Sequence, residues 1–123
     1  SIFKRIYYKF VRVVLQTPFL FDYDDSAFFS DLCFSYKNAF PSIIPNWDHS
    51  PRSGRKGAVM LKSSPIKFQK TLHRMVNLLQ NKKYDERFIF IKSWNEWAEG
   101  NYLEPDKKYG YQWLDAIKNE ILN

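Results

Sequence analysis

The chain has 123 residues, 45% hydrophobic and 26% charged, which suits one globular domain and excludes disorder, collagen and low-complexity arrays. Aromatic residues reach 19%, so some rings are expected to line a surface or pocket as well as a core. The net charge of +6 admits nucleic acid, acidic membrane or phosphorylated ligands as partners.

Apolar positions at Phe3, Ile6, Tyr7, Phe10, Val13 and Val14 predict an amphipathic helix over residues 2–14, ended near Pro18. Phe19-Leu20-Phe21 is a short apolar run that predicts a strand. Asp22-Tyr23-Asp24-Asp25-Ser26 then breaks the pattern with helix-capping residues. Phe28, Phe29, Leu32, Cys33 and Tyr36 predict a second helix face. Pro41-Ser42-Ile43-Ile44-Pro45, β-branched and bounded by prolines, predicts a strand, with Ile43–Pro45 as its centre. Residues 46–64 lack periodicity and are expected to be a loop. Ser64-Pro65 is a helix start, with Ser as N-cap and Pro at the first helical position. Phe68, Leu72, Met75, Val76 and Leu79 mark its buried face.

Arg87-Phe88-Ile89-Phe90-Ile91-Lys92 is apolar without alternation, the pattern of a strand covered on both faces in a parallel sheet. A loop over residues 93–108 follows, and Trp113, Leu114, Ile117, Ile121 and Leu122 predict the last helix. Helices alternating with strands define an α/β architecture with parallel strands at Phe19–Phe21, Ile43–Pro45 and Phe88–Lys92. Three strand–helix units do not close a barrel, and a complete (β/α)8 barrel takes about 250 residues. Two architectures stay open: the C-terminal half of such a barrel, or a small open sheet.

No apolar run approaches the ~18–20 residues of a membrane span, and the basic N-terminus has no apolar segment following it of the kind a signal peptide carries. Cys33 is the one cysteine, so no internal disulfide forms, and a small buried side chain is its expected role. His49 and His73 are the histidines, too few for a zinc site of Cys and His alone. Asp22-Tyr23-Asp24 is the nearest approach to an Asp-x-Asp metal motif, and no metal or other cofactor is expected. Residues 52–74 carry seven basic side chains and no acid, whereas Glu96, Glu99, Glu104 and Asp106 concentrate acid in residues 94–106.

That acidic stretch follows the clearest strand directly, where α/β folds bind ligands. Trp94, Asn95, Glu96, Trp97 and Glu99 fall within six residues. Tryptophan faces stack on sugar rings, amides and carboxylates match hydroxyl groups, and paired carboxylates perform glycosidic chemistry. Solvated carboxylates and core tryptophans are the plain structural alternative. A glutamate turned onto a lysine such as Lys92 would mark the pair as structural.

Phe88 to Asp106, followed by Lys107-Lys108-Tyr109-Gly110-Tyr111 and Leu114, closely resembles the signature of the WbsX-like glycosyltransferases of bacterial O-antigen and capsule synthesis. These belong with the glycoside hydrolase family 99-like domains. Pro45-Asn46-Trp47-Asp48-His49-Ser50-Pro51-Arg52 resembles the family's second motif, and Ser64-Pro65 with Phe68 its following helix. The likeness spans roughly residues 40–117.

The resemblance implies a (β/α)8 barrel, residues 1–123 forming a single partial domain from its C-terminal half, partnered by the rest of the barrel. It implies an enzyme acting at glycosidic bonds in lipopolysaccharide, O-antigen or capsule biosynthesis, in the cytoplasm or at membrane-associated assembly. Its partner would be an oligosaccharide or an activated sugar. By the same likeness Glu96 and Glu99 match the catalytic pair of the family 99 retaining endo-α-mannosidases. Glu96 would draw the proton from the sugar 2-hydroxyl, giving a 1,2-anhydrosugar. Glu99 would be general acid and then base, with a pKa raised by a tryptophan-lined pocket. Ala98 stands where the mannosidases have histidine, which fits the WbsX-like group and leaves mannose specificity and hydrolysis open.

Trp47, Asp48 and Arg52 are expected on the same rim. Arg52 suits a phosphate or sugar carboxylate, or a salt bridge to Asp48. Trp47 suits a sugar platform or the core, and Tyr102 lies within the substrate-binding stretch. His49 suits a loop hydrogen bond, and Glu104 a supporting acid or a solvated one. Asp106 suits a cap for the last helix, and Tyr109 and Tyr111 suit packing. Against the enzyme reading stand an inactive fragment and a nucleic-acid module built on residues 52–74. That stretch holds only Phe68 as a stacking ring, so nucleic acid is not the expected partner.

Overall fold

The computed structural model describes residues 2–25, 39–83 and 86–122. In chain order it contains α1 (Ile2–Leu15), β1 (Phe19–Asp22), β2 (Ser42–Ile43), α2 (Ser50–Ser53), β3 (Ala58–Leu61) and α3 (Pro65–Leu79). After these come β4 (Phe90–Ile91), β5 (Asn95–Glu96), β6 (Asn101–Tyr102) and α4 (Gln112–Ile121), with 3-10 turns at Gly54–Lys56 and Trp97–Glu99. The predicted helix face from Phe28 to Tyr36, with Cys33, lies outside the described residues.

The helix at the N-terminus forms where the periodicity places it, but its apolar stripe meets water. Phe3 is 81% exposed and Val13 70%. Gln16 then takes a left-handed φ of 51° and turns the chain toward β1.

β1 pairs in parallel with β3, Phe19 opposite Ala58 and Asp22 opposite Leu61. β2 pairs in parallel with β4, Ser42 opposite Phe90 and Ile43 opposite Ile91. The three predicted strands therefore exist and no antiparallel pair forms among them, though β2 and β4 are shorter than expected. Among the described residues the two parallel pairs are separate two-stranded sheets. This is a mixed α/β arrangement.

Two predicted loops contain strands. β3 lies inside residues 46–64, and it is made by partners far along the chain. β1 flanks one edge, and Trp47–His49 runs antiparallel along the other. There Met60 N–H donates to the Trp47 carbonyl (2.8 Å) and His49 N–H to that of Ala58 (2.9 Å). Inside residues 93–108, β5 and β6 pair antiparallel, Glu96 opposite Asn101. The expected two-sided burial of β4 is also corrected. Phe88 and Phe90 are exposed, since among the described residues only β2 flanks the strand, and both rings pack edge-on against Phe40.

α3 begins as predicted, with the Ser64 hydroxyl accepting from Lys67 N–H at 3.3 Å and Pro65 in the first turn. It buries Phe68, Leu72, Met75 and Leu79 at the predicted spacing. The principal partner is α4, which buries Trp113 and Ala116. The Phe68 and Trp113 rings, both 0% exposed, meet edge to face at 5.7 Å, and Tyr109 abuts Trp113 in the same way. Burying each such side chain contributes about 1.5–3 kcal/mol. Ile43, Met60 and Leu103 complete this core from β2, β3 and the segment after β6, tying the strands to the helix pair.

Two expectations about the last segment change. Asp106 does not cap α4. Its Oδ1 accepts from the backbone N–H of Lys108 and Tyr109, closing a turn ahead of the helix. Tyr111 is exposed instead of packed.

Candidate functional site

The site is built from three stretches of backbone: the segment after β2, the end of β4, and the β5–β6 hairpin. A short polypeptide contact joins them. Asp48 N–H donates to the Glu99 carbonyl at 2.8 Å, and Tyr102 N–H to Asn46 Oδ1 at 3.3 Å. The approach is close enough to require glycine. Gly100 has φ +55°, and a Cβ there would lie 3.0 Å from Asp48 Cβ.

Within the hairpin, Asn101 of β6 is 0% exposed. Its Oδ1 accepts from Ser93 N–H (2.9 Å), and its backbone carbonyl accepts from the Ser93 hydroxyl (2.8 Å). The Trp94 carbonyl accepts from the N–H groups of Leu103 and Glu104. The hairpin is anchored by these bonds; it exposes Trp97 and leaves Glu96 and Glu99 part-buried.

Basic side chains converge on the Glu99 carboxylate. Its Oε1 lies 3.1 Å from Arg52 Nη1 and 3.5 Å from His49 Nε2, and its Oε2 lies 3.4 Å from Lys92 Nζ. The side chain is 15% exposed, whereas Arg52 is 61% exposed and Lys92 49%. Desolvation is the largest single influence on Glu99 and acts to raise its pKa, but Lys92, Arg52 and His49 together outweigh it. The net effect holds the carboxyl below the usual carboxylate range. This corrects the expected raised pKa: the surroundings are cationic more than apolar. The salt bridge foreseen between Arg52 and Asp48 also goes to Glu99 instead. Asp48 Oδ1 accepts from the backbone N–H of Ser50 (2.9 Å) and from its hydroxyl.

Lys92 serves a second contact, its ammonium 4.4 Å from the centre of the Trp47 ring. Trp47 is partly buried and packs against the core, as one of its two expected roles has it. Trp97 stacks on Tyr102, centroids 3.8 Å apart and planes 12° from parallel. The Trp97 indole N–H donates to Glu104 Oε2 at 2.6 Å, which gives Glu104 a supporting role. Burial pushes the Tyr102 phenol up, and the Asp106 carboxylate adds to the shift. Trp94 and Asn95 are exposed. Glu96, half-buried in β5, has no ion pair among the described residues.

Sequence reasoning passed over Lys92 as a member of the site, along with Asn46 and Asn101. Lys92 had a signal, the polar residue that ends an apolar run. The two asparagines act through backbone contacts that local sequence does not reveal.

The parallel pairs define a mixed α/β protein, and its rim gathers carboxylates, basic side chains and stacked rings. The model of the family described as Glycosyltransferase WbsX matches residues 4–117, and the chain belongs to that family. It is also similar to two proteins named "Uncharacterized protein WxcX", from Xanthomonas campestris pv. campestris strains B100 and ATCC 33913. Each is 43% identical over 83 residues, which is 67% of this chain and 12% of the relative's length. No solved structure matches the chain.

Proposed function

We propose that the chain carries part of the substrate rim of a carbohydrate-active enzyme, a glycosyltransferase-like protein of bacterial surface polysaccharide biosynthesis. The observation that carries this reading is the meeting of the two family-like motifs at one residue, Glu99, whose carboxylate accepts from Arg52 and whose backbone carbonyl accepts from the Asp48 N–H. Trp47, Trp94 and the Trp97–Tyr102 stack supply apolar ring faces. Asp48, Asn95 and Glu104 supply polar groups for hydroxyls.

In this reading Glu96 and Glu99 are the reacting carboxylates. Glu96 has no counter-ion among the described residues and accepts a proton from a sugar hydroxyl. Glu99 is latched as a carboxylate by Lys92, Arg52 and His49. That latch is the lysine contact that favours a positional role, so in the sugar-free protein Glu99 organises the rim and needs release before it transfers a proton. A retaining endo-glycosidase of family 99 type ranks second, because its acid must carry a proton at rest. A nucleic-acid module ranks lower still. Arg52, Lys62 and Lys67 of the basic stretch already pair with Glu99, Asp22 and Asp24.

The two parallel pairs have the strand direction of a barrel, and further strands on their edges would complete one. We place the chain in the C-terminal part of such a barrel, with the remainder of the protein as its structural partner. No helix of the described residues is long and apolar enough to cross a membrane.

The test is complementation. A strain deleted for the full-length gene is supplied with wild type, Glu96→Gln or Glu99→Gln, and surface polysaccharide is read on a gel ladder. Each variant should lose the ladder while keeping wild-type circular dichroism, since removal of a proton-transfer group costs about 10²–10⁴ in rate. A full ladder from both variants refutes the reading.

A further inference from the structure

The cations of the rim are less committed than the carboxylate they surround. Both Glu99 oxygens are engaged, yet Arg52 reaches Glu99 through one nitrogen and is 61% exposed. Lys92 makes one ion-pair contact, at 3.4 Å, and is 49% exposed. Each therefore has donors facing solvent. The other nearby acids do not consume them. Asp48 turns to Ser50, Glu104 to the Trp97 indole, and Glu96 makes no ion pair among the described residues. Lys92 is also held in place, since its ammonium rests against the Trp47 ring.

We propose that the sugar taken by this rim is anionic, carrying a carboxylate or a phosphate that Arg52 and Lys92 bind beside Trp47. The proposal rests on the carbohydrate reading and narrows it to a substrate class. A guanidinium with free N–H groups presents the fork that matches carboxylate and phosphate oxygens, and a fixed ammonium beside it adds a point charge. The Trp47 ring, on which the Lys92 ammonium rests, is the aromatic surface beside this pair. Exposed ion pairs are weak and exchange readily, so the incoming anion competes with Glu99 for the same donors. Seating the substrate thereby unlatches Glu99, which supplies the release that its proton-transfer role requires.

Isothermal titration calorimetry on the full-length protein, with glucose, glucuronic acid, glucose 6-phosphate and inorganic phosphate as probes, tests this. Expected is binding of one or both anionic sugars about tenfold tighter than glucose, through the charge-assisted contacts. The stronger of the two tells carboxylate from phosphate. Arg52→Gln and Lys92→Gln should each collapse that preference, whereas Arg52→Lys keeps part of it, with folding checked by circular dichroism. Equal binding of glucose and the anionic sugars overturns the inference and leaves the carbohydrate reading standing. Binding of phosphate without any sugar, or of no probe at all, overturns both.

Discussion

Three glycines separate the contributions that bring the two halves of the site together. Gly110 has a left-handed φ of +56° and open space around it, so Gly110→Ala carries only the dihedral cost, about 1–2 kcal/mol. Gly57 has an ordinary φ of −68°, but a Cβ there would stand 3.0 Å from the His49 carbonyl carbon and oxygen. Gly57→Ala carries only the overlap, about 1–3 kcal/mol. Gly100 combines both, with φ +55° and a Cβ 3.0 Å from Asp48 Cβ and 3.1 Å from Asp48 N. Gly100→Ala should therefore cost roughly 2–5 kcal/mol, close to the sum of the other two. It should also weaken the Asp48 N–H to Glu99 carbonyl bond, because the added methyl pushes on the residue that donates it. Urea denaturation of the three variants, at unchanged slope, measures the costs. Polysaccharide complementation should fail for Gly100→Ala and survive in Gly110→Ala. If Gly100→Ala is no less stable than Gly110→Ala, the two segments do not make the close approach described, and the site as drawn is wrong.

Phe68→Ala removes a ring that is fully buried against Trp113, and the cavity should lower stability by about 3–5 kcal/mol in the same urea assay. Glu120 joins α4 to α3 through Gln69 Nε2 (2.8 Å) and His73 Nδ1 (2.7 Å). The Gln69 hydrogen bond, with His73, lowers its pKa below the usual carboxylate range despite some desolvation. A folded pKa below the unfolded one stabilises the protein above the unfolded value, and that contribution fades as pH falls through the folded one. Glu120→Gln should therefore destabilise at neutral pH by about 0.5–1.5 kcal/mol and flatten the acid limb of a stability–pH curve, followed by thermal melts. A curve identical to wild type would refute the helix–helix link.

Local sequence is enough for elements whose cause is local. The Ser64-Pro65 start of α3, its Phe68–Leu72–Met75–Leu79 face and the amphipathic period of α1 each follow from spacing and capping within a single turn or two. The run ending at Lys92 is apolar enough to read as a strand, and the crowding of Trp94, Glu96, Trp97 and Glu99 behind it marks the rim on residue chemistry alone. Tertiary structure decides what depends on a distant partner. Ala58–Leu61 becomes β3 because β1 and Trp47–His49 flank it, and α1 turns its apolar stripe outward although the same stripe reads as a core face. The charge state of Glu99 is the clearest case. The acid role implied by the family resemblance, with tryptophans close by in sequence, leads to the expectation of a raised pKa. Arg52 and His49, brought across from the segment after β2, join Lys92 and reverse the sign, because opposite charges within a few ångströms outweigh partial burial.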